Sequence, residues 1–271
     1  MKNLIPRTLT GILFVALIVA AICLHPFLFA GVFGVATALL IREFYALTKF
    51  EGSAWQRLTG IIGGAYLFIS ACLYAGGYVG REAFLPYIVI MLIYVASGLY
   101  IRTSNPVAQW CKTFFAHFYC AGSLSLLCFI HYTMSPEYVP ALMVFIFIWI
   151  NDTSAFLIGS WKGKRRLFPR ISPLKSWEGF VGGFVVTVAA AMVLSYFFRE
   201  LTWYYWLLFA AITVVSGTFG DLIESLIKRT YGAKDSGNIL PGHGGMLDRL
   251  DSVIFASPFV YVFFEIIATR N

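Results

Sequence analysis

The residues best suited to chemistry sit late in the chain. All five aspartates, Asp152, Asp221, Asp235, Asp248 and Asp251, fall in its second half, within or beside the ends of apolar runs. Asp221, Glu224, Ser225 and Lys228 follow Gly220. On a continued helix their offsets of three, four and seven share one face. Two carboxylates and a lysine there suit a site for a cation and a phosphate. A solvated helix end with a Glu224–Lys228 pair would explain Glu224 equally well, but explains Asp221 less well because that residue abuts the apolar run.

The stretch from Gly237 to Gly245 contains Pro241, His243 and four glycines, and cannot be helical. Its glycines permit backbone N–H groups to turn toward an anion. Asp248, Arg249 and Asp251 follow at once, and the two aspartates, three apart, lie on one side of the next helix. Paired carboxylates, a glycine-rich turn and the cations Lys228, Arg229, Lys234 and Arg249 are the ingredients of Mg²⁺-dependent phosphoryl or nucleotidyl transfer. A turn with helix-capping aspartates would account for one of these residues but hardly for all.

Two further groups add to this. Asp152 lies inside an apolar run, next to Asn151. A charge there costs roughly 2.5–3.5 kcal/mol on insertion scales, which marks a functional candidate, with a packing pair to Asn151 or Thr153 as the alternative. The loop 160–178 carries Lys162, Lys164, Arg165, Arg166, Arg170 and Lys175, placed there by topology or for phosphate. Ser172-Pro173 reads as a helix cap followed by proline, which would aim Lys175 from a helix start.

The elements that must position these residues are membrane helices. Of 271 residues 59% are hydrophobic and 12% charged, against about 25% charged in soluble domains. This excludes a soluble globular enzyme and a disordered or fibrous chain. The expected fold is all-α and polytopic, with about nine spans near 8–24, 26–41, 58–75, 84–101, 113–131, 139–159, 179–198, 203–220 and 252–268. Each is close to the roughly 20 residues that cross a bilayer. The basic N-terminus and the first apolar run resemble a secretory signal without a clean cleavage site, so an uncleaved first span is expected. With the N-terminus in the cytoplasm, seventeen of the twenty Lys and Arg residues fall in inner segments. Only Arg81, Arg199 and Arg270 fall outside, as the positive-inside rule requires. The charge of +7 is therefore mostly topological and attracts anionic lipid; nucleic acid is not expected as a partner. Residues 1–135 read as a scaffold that could contact a second copy in a homodimer. Residues 136–271 read as the catalytic region, with cytoplasmic loops 160–178 and 221–251. Five cysteines without paired spacing argue against a disulfide framework and a zinc site. Gly60/Gly64 and Gly179/Gly183 mark close helix packing.

Ser225-Leu226-Ile227-Lys228-Arg229, Lys234-Asp235, Gly237, Leu240-Pro241, His243-Gly244-Gly245 and Asp248-Arg249-Leu250-Asp251 together resemble the signature of the phosphatidate cytidylyltransferase (CDP-diacylglycerol synthase) family. Ser172-Pro173, Lys175 and Trp177-Glu178-Gly179 resemble a second motif of that family, and Asn151-Asp152 also fits. The first half is similar only in hydropathy. The resemblance implies an integral membrane enzyme that joins CTP to phosphatidic acid, releases pyrophosphate and requires Mg²⁺, with one or two cations. It is expected in a bacterial inner membrane. Asp221 ends one span while Asp248 and Asp251 begin the next, so a hairpin through the glycine-rich loop brings both helix ends together; the three aspartates are expected to hold the metal, with Lys228 and Arg249 as further catalytic residues. Lys175, Arg166, Ser172, Ser225, Arg229, Lys234, His243, Gly244 and Gly245 would hold substrate phosphates, and Asn151 and Asp152 would be polar groups within the membrane. His243 is expected to shape the loop or hold a phosphate rather than act as a base. The rival readings are a CTP-dependent lipid kinase and, from another class, an ion transporter built around Asp152.

Overall fold

The structure, a computed structural model, describes residues 4–133, 139–239 and 244–269. Ten α-helices account for most of it: α1 (Leu4–Cys23), α2 (Pro26–Leu47), α3 (Ala54–Ala75), α4 (Leu85–Ser97), α5 (Pro106–Ala116), α6 (Ser123–Thr133), α7 (Pro140–Lys162), α8 (Trp177–Phe197), α9 (Trp203–Thr230) and α10 (Leu247–Ala268). A π-turn, His117–Gly122, joins α5 to α6. The only strands among the described residues are the antiparallel pair β1 (Arg166–Phe168) and β2 (Ser172–Ser176).

Helix starts follow local chemistry. Ser53 and Gln56 form a capping box on α3. His25 and Asn105 accept the free N–H groups of α2 and α5, each followed by proline in the first turn.

Seven stretches among the described residues are long and apolar enough to cross a membrane: α2, α3, α5 with α6, and α7 through α10. In α1 the apolar stretch Thr10–Cys23 is shorter than these. With 13 residues, α4 is the shortest of the expected spans.

Two compact units form. The first holds Met1–Thr133 and Tyr231–Leu250; the second holds Met134–Thr230 and Asp251–Asn271. In the first, α3 packs against α2, α4 and α6. Gly64 of α3 faces Ile41 and His117 closely. His117 bridges the Gly60 carbonyl at 2.7 Å and the Tyr87 hydroxyl at 3.1 Å. Cys72 of α3 and Cys128 of α6 are joined as a disulfide, Cα atoms 5.2 Å apart. The sequence reading, which argued against a disulfide framework, did not anticipate this pair. The pair is 56 residues apart in sequence, and only the packing of two helices brings it together. In the second unit, α7 runs along α8 through the glycines named above: a Cβ on Gly183 would lie 2.6 Å from the Asn151 Oδ1. Phe147, Trp206, Phe209 and Phe264 form an aromatic core between α7, α9 and α10.

Candidate active site

Two polar clusters emerge, one in each unit. The cluster of the second unit is built on the end of α9, which continues as one helix through Thr230 and so places Asp221, Glu224, Ser225 and Lys228 on one face. Residues 221–230 thus continue α9, as the shared face requires, within the segment 221–251 assigned to a cytoplasmic loop. Lys228 pairs with the fully buried Glu224 at 2.5 Å. Ser225 donates to Asp221 at 3.3 Å, and Lys175 forms an ion pair with the same carboxylate. Gly220 lets α10 approach: a Cβ there would meet the Asp251 carbonyl oxygen at 2.6 Å. The two helix backbones therefore touch where Asp221 and Asp251 stand. Asp251 is 9% exposed, takes the Ser252 N–H at 2.6 Å, and lies in the electrostatic field of Asp221, Glu224 and Asp152. Asn151 beside Asp152 is buried, and its Oδ1 has no hydrogen-bond partner among the described residues.

The loop 160–178 is a β-hairpin closed by helix α8. Ser172 is not a helix cap. It opens β2, and the helix starts after Ser176, whose hydroxyl oxygen accepts the Gly179 N–H at 3.1 Å. Proline drives the residue before it toward extended backbone, which suits a strand. Lys175 accordingly reaches Asp221 from the end of a strand. Glu178, which the motif reading mentioned without a role, accepts the N–H groups of Lys164 and Arg165 at 3.1–3.2 Å and ties the base of the hairpin. Arg166 donates to the Leu174 carbonyl and Arg229 to the Ile171 carbonyl, at 3.2 and 3.4 Å. Both guanidinium groups thus brace the hairpin.

The cluster of the first unit is built on the glycine-rich segment. Asp248 Oδ2 accepts from Ser236 N, Ser236 Oγ and Gly245 N at 3.0, 2.9 and 2.8 Å. Gly244 adopts φ +81°, a left-handed conformation that favours glycine. Glu43 of α2 accepts from Met246 N, Leu247 N and Ser236 Oγ. The amides at Gly245, Met246 and Leu247 therefore turn toward carboxylates of the protein itself. Sequence reasoning missed Glu43. The expected span ended at residue 41, so Arg42-Glu43 read as its charged end, whereas α2 continues to Leu47 and buries Glu43. Lys234 and Arg249 are exposed, and His243 lies outside the described residues.

The sequence model of the cytidylyltransferase family matches residues 5–267. The chain belongs to the cytidylyltransferase family. Membership makes it a nucleotidyltransferase, and the long apolar helices make it a multi-pass membrane protein. A phosphatidate cytidylyltransferase of Haemophilus influenzae is 31% identical over 284 aligned residues, covering 95% of this chain and 97% of the relative. One of Bacillus subtilis is 47% identical over 117 residues, 43% of this chain and 44% of the relative. One of Staphylococcus haemolyticus is 44% identical over 123 residues, 45% and 47% of the two chains. The more similar stretches thus span just under half of the latter two relatives.

Among the described residues no three His, Cys, Asp or Glu side chains are grouped as ligands of one metal ion. The carboxylate oxygens of the site are nonetheless hard donors suited to Mg²⁺, which is usually held by one or two carboxylates together with substrate phosphates.

Proposed function

We propose that this cytidylyltransferase transfers the cytidylyl group of CTP to phosphatidic acid at the cytoplasmic face of a bacterial inner membrane, giving CDP-diacylglycerol and pyrophosphate. The observation that carries this reading is the carboxylate–lysine face at the end of α9, in a chain aligned almost end to end with a phosphatidate cytidylyltransferase.

A phosphate oxygen of phosphatidic acid forms a bond to the α-phosphorus of CTP, and the bond from that phosphorus to the bridging oxygen breaks as pyrophosphate leaves. The second ionisation of a phosphate monoester has a pKa near 6, so the attacking group needs no protein base at neutral pH. His243 is therefore assigned to shaping the loop or to a phosphate. We assign Asp221, Asp248 and Asp251 to the cation on the chemistry of their oxygens. Bound Mg²⁺ would neutralise charge on the phosphates. Lys175 and Lys228 are held in place by their carboxylate partners, and oriented ammonium groups stabilise charge developing on phosphate oxygens without reorganising. Arg166 and Arg229 hold the hairpin that carries Lys175. Ser172, Ser225, Lys234, Gly244, Gly245 and Arg249 complete the proposed contacts to substrate phosphates. Residues 1–135 are proposed as the scaffold, with a homodimer contact.

The test is purified protein with CTP, phosphatidic acid and Mg²⁺. Release of pyrophosphate with cytidine appearing in the lipid fraction is expected. Label that reaches the lipid from the γ-phosphate of CTP, without cytidine, identifies a lipid kinase and overturns the proposal.

A further inference from the structure

Glu43 stands in an apolar helix, yet it is 4% exposed and engaged on both oxygens. Oε1 accepts the Met246 N–H at 2.9 Å; Oε2 accepts the Leu247 N–H at 2.8 Å and faces Ser236 Oγ at 3.2 Å. Met246 and Leu247 are at the start of α10, where the first N–H groups of a helix lack partners within it. A buried carboxylate is costly unless such donors surround it, and the positive end of the helix dipole favours its charge.

The glycines of the turn fit this side chain closely. A Cβ on Gly237 would lie 2.7 Å from Glu43 Oε1, and one on Gly245 would lie 2.5 Å from Oε2. A larger residue at either position would push the carboxylate off its donors. The two glycines thus leave room for Glu43, eight residues apart on either side of the turn. Asp248 grips the same two segments, through Ser236 and Gly245. The Ser236 hydroxyl has one proton, and both carboxylates are within its reach.

We propose that Glu43 is a positioning residue for nucleotidyl transfer: it latches the glycine-rich turn and the first turn of α10, and thereby sets where Asp248 and Arg249 stand. This rests on the reading of that segment as part of the site for CTP and its cation. It gives the N-terminal half a defined part in the chemistry.

The test compares the full-length protein with Glu43→Gln and Glu43→Asp in detergent micelles. The glutamine keeps the shape but offers one acceptor oxygen, so one of the two helix N–H groups loses its partner. Hydrogen exchange of the peptide covering 244–250 should speed up about tenfold in Glu43→Gln. Turnover should fall by about tenfold or more, with a higher Mg²⁺ concentration for half-maximal rate and an unchanged KM for phosphatidic acid. Glu43→Asp keeps the charge and should recover part of the loss. Unchanged exchange at 244–250 overturns the latch. Faster exchange with unaltered turnover and Mg²⁺ titration overturns the positioning role while leaving the proposed activity intact. A wild-type protein without cytidylyl transfer overturns the proposed activity and the catalytic meaning of Glu43 with it, and exchange then decides the latch alone. Should Glu43→Gln fail to fold, Glu43→Asp, whose shorter side chain reaches the two N–H groups less well, carries the same readouts.

Discussion

At the scale of single residues, two lysine–carboxylate pairs look alike in sequence and differ in energetics. In the Lys175–Asp221 pair the side chains are 30% and 32% exposed. Pairs of that exposure contribute about 0–1 kcal/mol. Lys175→Ala should therefore leave thermal stability nearly unchanged, and a large fall in turnover would report chemistry. Lys228 instead matches Glu224, which is fully buried. Removing one partner of a buried pair costs about 3–5 kcal/mol. Lys228→Ala should lower the unfolding temperature markedly, and Lys228→Ala with Glu224→Gln should recover much of the loss. Melting curves and turnover of all three variants separate the two roles; equal melting shifts for both lysines would refute the distinction. Asp251 gives a sign rather than a size. It is buried among other carboxylates, and like charges at close range repel. Asp251→Asn should leave stability equal or higher while turnover drops about a hundredfold or demands more Mg²⁺. A clear loss of stability with an unchanged Mg²⁺ titration would mark Asp251 as structural.

At the scale of elements, the most demanding contact is the meeting of α9 and α10 at Gly220. A methyl group would lie 2.6 Å from the Asp251 carbonyl and 2.8 Å from the Phe255 Cβ. Overpacking of this kind costs about 1–3 kcal/mol, and here it would separate Asp221 from Asp251. Gly220→Ala should lose activity more than stability, because a helix can shift by an ångström and still pack. Stability and turnover measured together check this, and retained turnover would show that the spacing of the two aspartates is not critical. The same elements show what was legible in the sequence. The face at 221–228 was readable because helical periodicity is local and Asp221 abuts an apolar run. The hairpin was not, because Ser172-Pro173 satisfies both a helix start and a strand. Ser176 decides between them only by accepting the Gly179 N–H. The partner of the glycine-rich turn was unreadable for a different reason: Glu43 lies 193 to 204 residues away from its donors, and one sequence carries no sign of such a pairing.

At the scale of the whole molecule, the number of crossings turns on α4. The 13 residues of α4 span about 20 Å, short of the roughly 30 Å hydrocarbon core. A scheme that omitted α1 and α4 would leave the loop after α2 and the segment before α5 on opposite sides. The contacts oppose this. Ser104 donates to Glu51 at 2.5 Å, the Glu51 N–H reaches Gln109 at 3.0 Å, and Lys112 reaches the Lys49 carbonyl at 3.0 Å. Both segments thus lie at one end of the first unit, and since α3 is long enough to cross, α4 must return the chain, aided by the helical turn Arg81–Phe84. Glu43, near the same end of α2, brings the glycine-rich turn to that end as well. The charge asymmetry makes the cytoplasm the proposed side for it. In a protein with Cys23 and Cys111, the exposed native thiols, changed to serine, single cysteines report the sides. Glu51→Cys and Asn238→Cys, both at exposed positions, should react with an impermeant thiol reagent only after the cells are opened. Glu82→Cys and Arg199→Cys should react in intact cells. Ser236 is 6% exposed and would be a poor reporter. Labelling of Glu51→Cys from outside, with Glu82→Cys protected, would overturn this orientation and move the loop between α2 and α3 to the outer face.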